Sequence, residues 1–315
     1  MHEDSRCPGF CGRNPSDPTN GSVCQACPWG WRVPPLTHLH PSTLSDPRAS
    51  ICEPCLSPLP AYDWLYLLFV AILPILINCF FVHYYSSKRM SLSRNEVLEL
   101  GCCIVEGVLA AVASLLVMPP RWSLNLYGCH KTLIEEWYPA LHNPQTFGRT
   151  LPCTYELVFP LYSLPFVYLL FCLMNLLICR SILYMTIRKR DRSRHAYYAA
   201  LYAIPILALG LALMAGFLYY MFAFVLMLWS VAANAVHLSL EGNKSMRSMI
   251  DALATSGNHL TLLIVNMALL AFSIVTLAVE RDDGWSLLLV TMVPVPAAFF
   301  LLTSGLSHPS TISST

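Results

Sequence analysis

After Tyr62 the chain consists of apolar blocks about twenty residues long, separated by short polar loops. A helix needs about 20 residues to cross a bilayer, and lipid offers no partner to an unpaired backbone group. Blocks of this length restrict the chain to a bundle of membrane-crossing helices. They lie at 64–85, 97–118, 157–183, 197–215, 218–240, 260–279 and 286–304, which predicts an all-α polytopic protein of seven spans. The fourth and fifth blocks nearly touch. Gly216 in "LALMAGFLYYMFAF" is the turn signal between them, and the combined block is too long for one crossing, so a tight hairpin is expected there. Pro74, Pro165, Pro205, Pro294 and Pro296 fall inside spans, where neighbouring helices can satisfy the groups they free. Charged residues make up only 12% of the 315, against about 25% in soluble domains.

Residues 1–60 are different: rich in Pro, Cys, Ser and Gly, with no apolar run. The expected organisation is a Cys-rich module at 1–60, a transmembrane domain at 61–305 and a short tail at 306–315. No charged stretch followed by an apolar one opens the chain, so no cleavable signal peptide is expected and the first span must carry the module across.

Lysine and arginine placement sets the orientation. With the N-terminus outside, the inner loops hold Lys88, Arg89 and Arg94, then Arg180 and the run "IRKRDRSRH" (Ile187–His195), then Lys244 and Arg247. The densest basic stretch thus sits in the third loop, while "ERDDGW" (Glu280–Trp285) makes an acidic outer loop. An outside N-terminus and an inside C-terminus follow. Net charge is +1 with no basic domain, so no nucleic-acid partner is expected.

That orientation bears on Cys7, Cys11, Cys24, Cys27, Cys52 and Cys55, whose C-x-x-C spacing suits either zinc or disulfides. In an oxidising lumen disulfides are the default, and a ladder replaces the core that so short a segment cannot build. Six cysteines allow 15 pairings, and spacing does not choose among them. "CQACPWG" followed by C-x-x-C also looks like the small cysteine-rich modules of receptor ectodomains. Cys129 and Cys153, both in the long second loop, are a further candidate pair; Cys79, Cys102, Cys103, Cys172 and Cys179 read as small packing residues. The sequon at Asn20 would be lumenal and glycosylated, whereas that at Asn243 would be cytosolic and bare.

Chemistry is sparse. Glu106 is the carboxylate set deep in a span, and an ionisable residue there marks a site unless it serves as a hydrogen-bonded clamp between helices. A proton-coupled transporter would add further intramembrane acids and paired broken helices, and neither is evident. Asn78, Asn175 and Asn266 read as interhelical hydrogen-bonders, and Asn234 with His237 as an interfacial pair more than an acyltransferase site. Hydrolase, zinc-protease and nucleotide-binding motifs are missing from the sequence, so neither an enzyme activity nor a cofactor is expected. The third span ends "SILYMTIRKR" and the last reads "LVTMVPVPAAFFLLT", without the triplet and Asn-Pro signatures of rhodopsin-like receptors.

Five blocks together carry a resemblance: "YDWLYLLFVAILP", "EWYPALHNP", "CTYELVFPLYSLPFVYLLFCL", "YYAALYAIPIL" and "VPVPAAFFLLT". With the C-x-x-C-P-x-G module in front, the chain resembles the Jun-N-terminal-kinase-associated membrane protein family over nearly its whole length. The resemblance implies a seven-span protein of the endoplasmic-reticulum membrane with a glycosylated lumenal N-terminus. It implies an adaptor role in disposal of misfolded proteins, with the proteasome, a membrane ubiquitin ligase and Jun N-terminal kinase as partners. No catalytic residues come with it. The alternative is a small-ligand transporter or a seven-span receptor. Partner-binding candidates are Lys88 and Arg89 in "KRMSL", a short match to a kinase docking site, and Arg188, Lys189, Arg190, Arg192 and Arg194. Each basic group has a plainer role as a topology-setting flank or a contact to anionic lipid.

Overall fold

A computed structural model describes residues 7, 10–15, 23–33, 50–86, 94–129, 134–138, 159–186, 191–240, 257–281 and 284–303. Asn20, Asn243, Cys153, Lys88, Arg89, Arg188, Lys189, Arg190 and the tail lie outside the described residues, as do the side chains of Arg192, Arg194 and His237. The described residues form two compact units that divide after Leu218.

The first unit opens with the Cys-rich module, whose strands are only two residues each. β1 (Trp31–Arg32) pairs antiparallel with β2 (Glu53–Pro54), and β3 (Ser57–Pro58) pairs with β4 (Tyr127–Gly128). Ladders this short cannot hold a fold alone. Disulfides supply the staples: Cys7–Cys24, Cys27–Cys52 and Cys55–Cys129, with Cys11 also disulfide-bonded. Cys27 and Cys52 pack with Val33 into a small core.

The pairing of Cys129 corrects the expectation that it would join Cys153. The reason is register: β3 opposite β4 sets Ser57 across from Gly128, which brings the flanking Cys55 and Cys129 together. The Ser57 hydroxyl also donates to the Gly128 carbonyl. Two helices separate these cysteines in the chain, α1 (Ala61–Ser86) and α2 (Arg94–Val117). The bridge therefore ties together the two ends of one antiparallel helical pair.

α1, α2 and α3 (Leu164–Thr186) form the bundle of this unit. On α2 the buried positions are Cys103, Glu106, Ala110 and Ser114, spaced as one helical face of small residues around a single acid. α3 buries Leu169, Cys172, Leu176 and Arg180, again one stripe. The opposite faces carry Ile104, Val108, Leu170, Leu177 and Ile178, all exposed as lipid-facing positions are. Gly107 permits the close approach of α1, because a Cβ there would stand 2.6 Å from Ile75. Pro74 sits inside α1, and the Tyr168 hydroxyl of α3 donates to the nearby Ala71 carbonyl at 2.7 Å. That bond ties α3 to α1 one position from Val70, whose carbonyl the proline leaves without its helical donor.

The largest departure from the sequence reading is α4 (Asp191–Leu240), one helix of 50 residues where a hairpin at Gly216 was expected. Gly216 is a packing position. A Cβ would meet Trp137 at 2.9 Å, and the Tyr138 hydroxyl accepts from the Gly216 N–H and donates to the Leu213 carbonyl. Ala, Leu and Met around the glycine are good helix formers, so one glycine does not stop the helix.

In the second unit, α5 (Gly257–Arg281) matches the expected sixth span. The expected seventh span is split: residues Gly284–Met292 form a 3₁₀ helix and Val295–Thr303 a short α-helix, α6. Pro294 and Pro296 account for the break, since proline removes a donor and clashes with the preceding turn. Among the described residues, five helices are long and apolar enough to cross a membrane.

Candidate functional site

The polar centre of the bundle is an ion pair. Arg180 of α3 places Nε 3.0 Å from Oε1 of Glu106 on α2, with side-chain exposures of 1% and 4%. Arg180 Nη2 reaches the Cys103 sulfur at 2.6 Å, so one guanidinium engages two residues a turn apart. Asn175 Nδ2 donates to the Glu106 backbone carbonyl at 3.1 Å, and the Cys102 thiol donates to Glu106 Oε1 at 3.1 Å. Glu106 Oε2 is buried without a hydrogen-bond partner. Nearby on α1, Cys79 packs against Cys103.

Two opposite charges in a low-dielectric bundle hold α2 against α3, because separating them would leave each unpaired in apolar surroundings. Sequence reasoning singled out Glu106 and missed its partner. Arg180 was assigned to an inner basic flank; it is instead inside α3, and buried. A signal existed: Leu169, Cys172, Leu176 and Arg180 recur at helical spacing on one face, which directs the guanidinium inward. Of the expected interhelical asparagines, Asn175 bonds across helices, whereas Asn78 Oδ1 has no partner and the Asn266 backbone carbonyl accepts from Ser230. Asn234 is buried with Oδ1 unpartnered.

Toward the module end of the bundle lies an apolar cavity of about 170 Å³ lined by Trp64, Leu67, Ala111, Leu164 and Tyr168. Its wall hydroxyls are already engaged, Ser114 with Ala111 and Tyr168 with Ala71. Such a cavity suits packing or an acyl chain and offers nothing to orient a polar solute.

At the same end, Trp137 is wedged between α1 and α4. Its ring stands 6.1 Å from that of Tyr66, edge to face, and it fills the space left by Gly216. Trp137 and Tyr138, from the "EWYPALHNP" block, fasten their segment onto α4. No group of three or more His, Cys, Asp or Glu suited to a metal occurs among the described residues.

These features define a class: a polytopic helical membrane protein with a disulfide-tied extramembrane module and a charge-paired helical core. The chain belongs to the JNK1/MAPK8-associated membrane protein family, whose model matches residues 7–309. It is 36% identical to a JNK1/MAPK8-associated membrane protein homolog of Caenorhabditis elegans, covering 97% of this chain and 94% of that one. It is 35% identical to the JNK1/MAPK8-associated membrane protein of Mus musculus, over 84% of each, and 32% identical to that of Homo sapiens, over 94% and 91%. No solved structure matches.

Proposed function

We propose that this chain is a non-enzymatic adaptor of the endoplasmic-reticulum membrane. It associates with Jun N-terminal kinase and brings the proteasome and a membrane ubiquitin ligase to misfolded proteins. The observation that carries the kinase link is family membership, since the mouse and human relatives are named for association with that kinase. The ion pair supports the adaptor side of the reading. Glu106 is held by Arg180, Cys102 and Asn175, an arrangement suited to fixing helices and ill suited to passing ions. Contacts with partners then belong to the polar loops.

The proposed topology has seven spans with a lumenal N-terminus. Disulfides in the module favour the oxidising lumen over the cytosol. The Cys55–Cys129 bridge is compatible with α1 and α2 both crossing, because two crossings return the chain to the same side.

Affinity purification of the full chain from mild detergent tests the adaptor reading. Jun N-terminal kinase and proteasome subunits should co-purify, and the proteasome subunits should fall markedly when the third-loop basic residues become Gln. Recovery of neither partner from wild-type protein would overturn it.

A further inference from the structure

We propose that Cys79 and Cys103 form a dithiol that hydroperoxides oxidise to a disulfide, a modification site set inside the helical bundle. The two thiols come from different helices, α1 and α2, and Cys79 packs against the buried cluster that holds Cys103. Arg180 Nη2 donates to the Cys103 sulfur, and the guanidinium is fixed in place by its Nε bond to Glu106. The guanidinium thus places a cation directly on the Cys103 sulfur. Negative charge that develops on Cys103 as it resolves a sulfenic acid sits next to that cation.

Access differs between the two. Cys103 is 1% exposed, while Cys79 is half-buried and its neighbour Phe80 is 60% exposed. A small oxidant arriving through lipid meets Cys79 first. Two of the other free cysteines, Cys102 and Cys172, are set differently. The Cys102 thiol is turned to the Glu106 carboxylate, and Cys172 is buried on α3 in contact with the Tyr168 hydroxyl.

The chemistry runs in two steps. Cys79 sulfur attacks the terminal oxygen of the hydroperoxide; the O–O bond breaks, the alcohol (or water) leaves with the thiol proton, and Cys79 becomes a sulfenic acid. Cys103 sulfur then attacks Cys79 sulfur, the S–O bond breaks and water leaves. The dithiol has lost two electrons and the hydroperoxide has gained them. The product joins α1 to α2 beside the ion pair. None of this depends on the adaptor function.

The test uses full-length protein in native membranes, exposed either to hydrogen peroxide from the aqueous phase or to cumene hydroperoxide, which partitions into lipid. Differential alkylation with mass spectrometry then reads each cysteine. The expected result is a Cys79–Cys103 cross-linked peptide, with both residues oxidised about tenfold faster than Cys102 and Cys172. Faster reaction with cumene hydroperoxide would point to oxidised lipid as the source, and faster reaction with hydrogen peroxide to the aqueous pool. Cys103→Ser should stall Cys79 as a sulfenic acid that a 1,3-diketone traps, a readout that a merely packed cysteine would not give. No cross-link with either oxidant, or uniform oxidation of all the free cysteines, would overturn the proposal.

Discussion

Arg180 and Glu106 depend on each other, and their mutants should show it. Glu106→Ala leaves a buried guanidinium with Cys103 as its remaining contact, a loss of about 3–5 kcal/mol for a buried pair broken on one side. In detergent this should appear as a clear fall in the thermal midpoint of the monodisperse fraction. Replacing both partners, Glu106→Leu with Arg180→Met, removes the unpaired charge and should restore most of the lost midpoint. If the double variant is no better than Glu106→Ala, the pair is not what holds α2 to α3. Glu106 was legible in the sequence because an acid interrupts an otherwise apolar block. Arg180 was not, because orientation rules treat a basic residue near a block's end as a flank. What decides its position is the face of the helix, and only the stripe from Leu169 to Arg180 carries that information.

Among the elements, the smallest strands have the greatest effect on the module. β3 and β4 are two residues each, yet their register selects Cys129 as the partner of Cys55 across 74 positions of sequence. Composition and Cys spacing located the disulfide module without giving its connectivity, since register follows from tertiary contacts that no local pattern encodes. Cys129→Ser should therefore free the loop from the module at a cost of about 2–5 kcal/mol to local stability. Limited proteolysis of the segment between Cys129 and α3 should accelerate, and Cys55 should become available to a thiol reagent. Unchanged proteolysis would mean that the Trp137 wedge alone fixes the loop. That wedge has its own test. Tyr138→Phe removes the hydroxyl shared by Gly216 and Leu213, at a cost of about 0.5–1.5 kcal/mol. A smaller cleavage increase than in Cys129→Ser is expected, and no increase would show that the hydroxyl contributes nothing there.

For the whole molecule, the number of crossings turns on α4. The apolar part of α4, His195–Val236, has 42 residues and is about 63 Å long as a helix, roughly twice the hydrocarbon thickness. The first twenty-odd residues alone cover one crossing, ending near Gly216. There Trp137 and Tyr138 meet the helix, in the loop that Cys129 ties to the module. On the proposed topology that position is at the lumenal surface, and the residues after Leu218 cross again only where the helix of the membrane-embedded protein reverses there. A glycosylation acceptor flanked by flexible spacers, inserted between Gly216 and Leu218, should therefore be glycosylated in cells. The same cassette inserted after Leu240 should remain bare. Both are made in an Asn20→Gln background, so that any glycan reports on the cassette alone. Glycosylation at the first position and not the second places two crossings in α4. A bare cassette at the first position, in protein whose module disulfides are intact, would put Gly216 within the membrane or on its far side and would bring the count below seven.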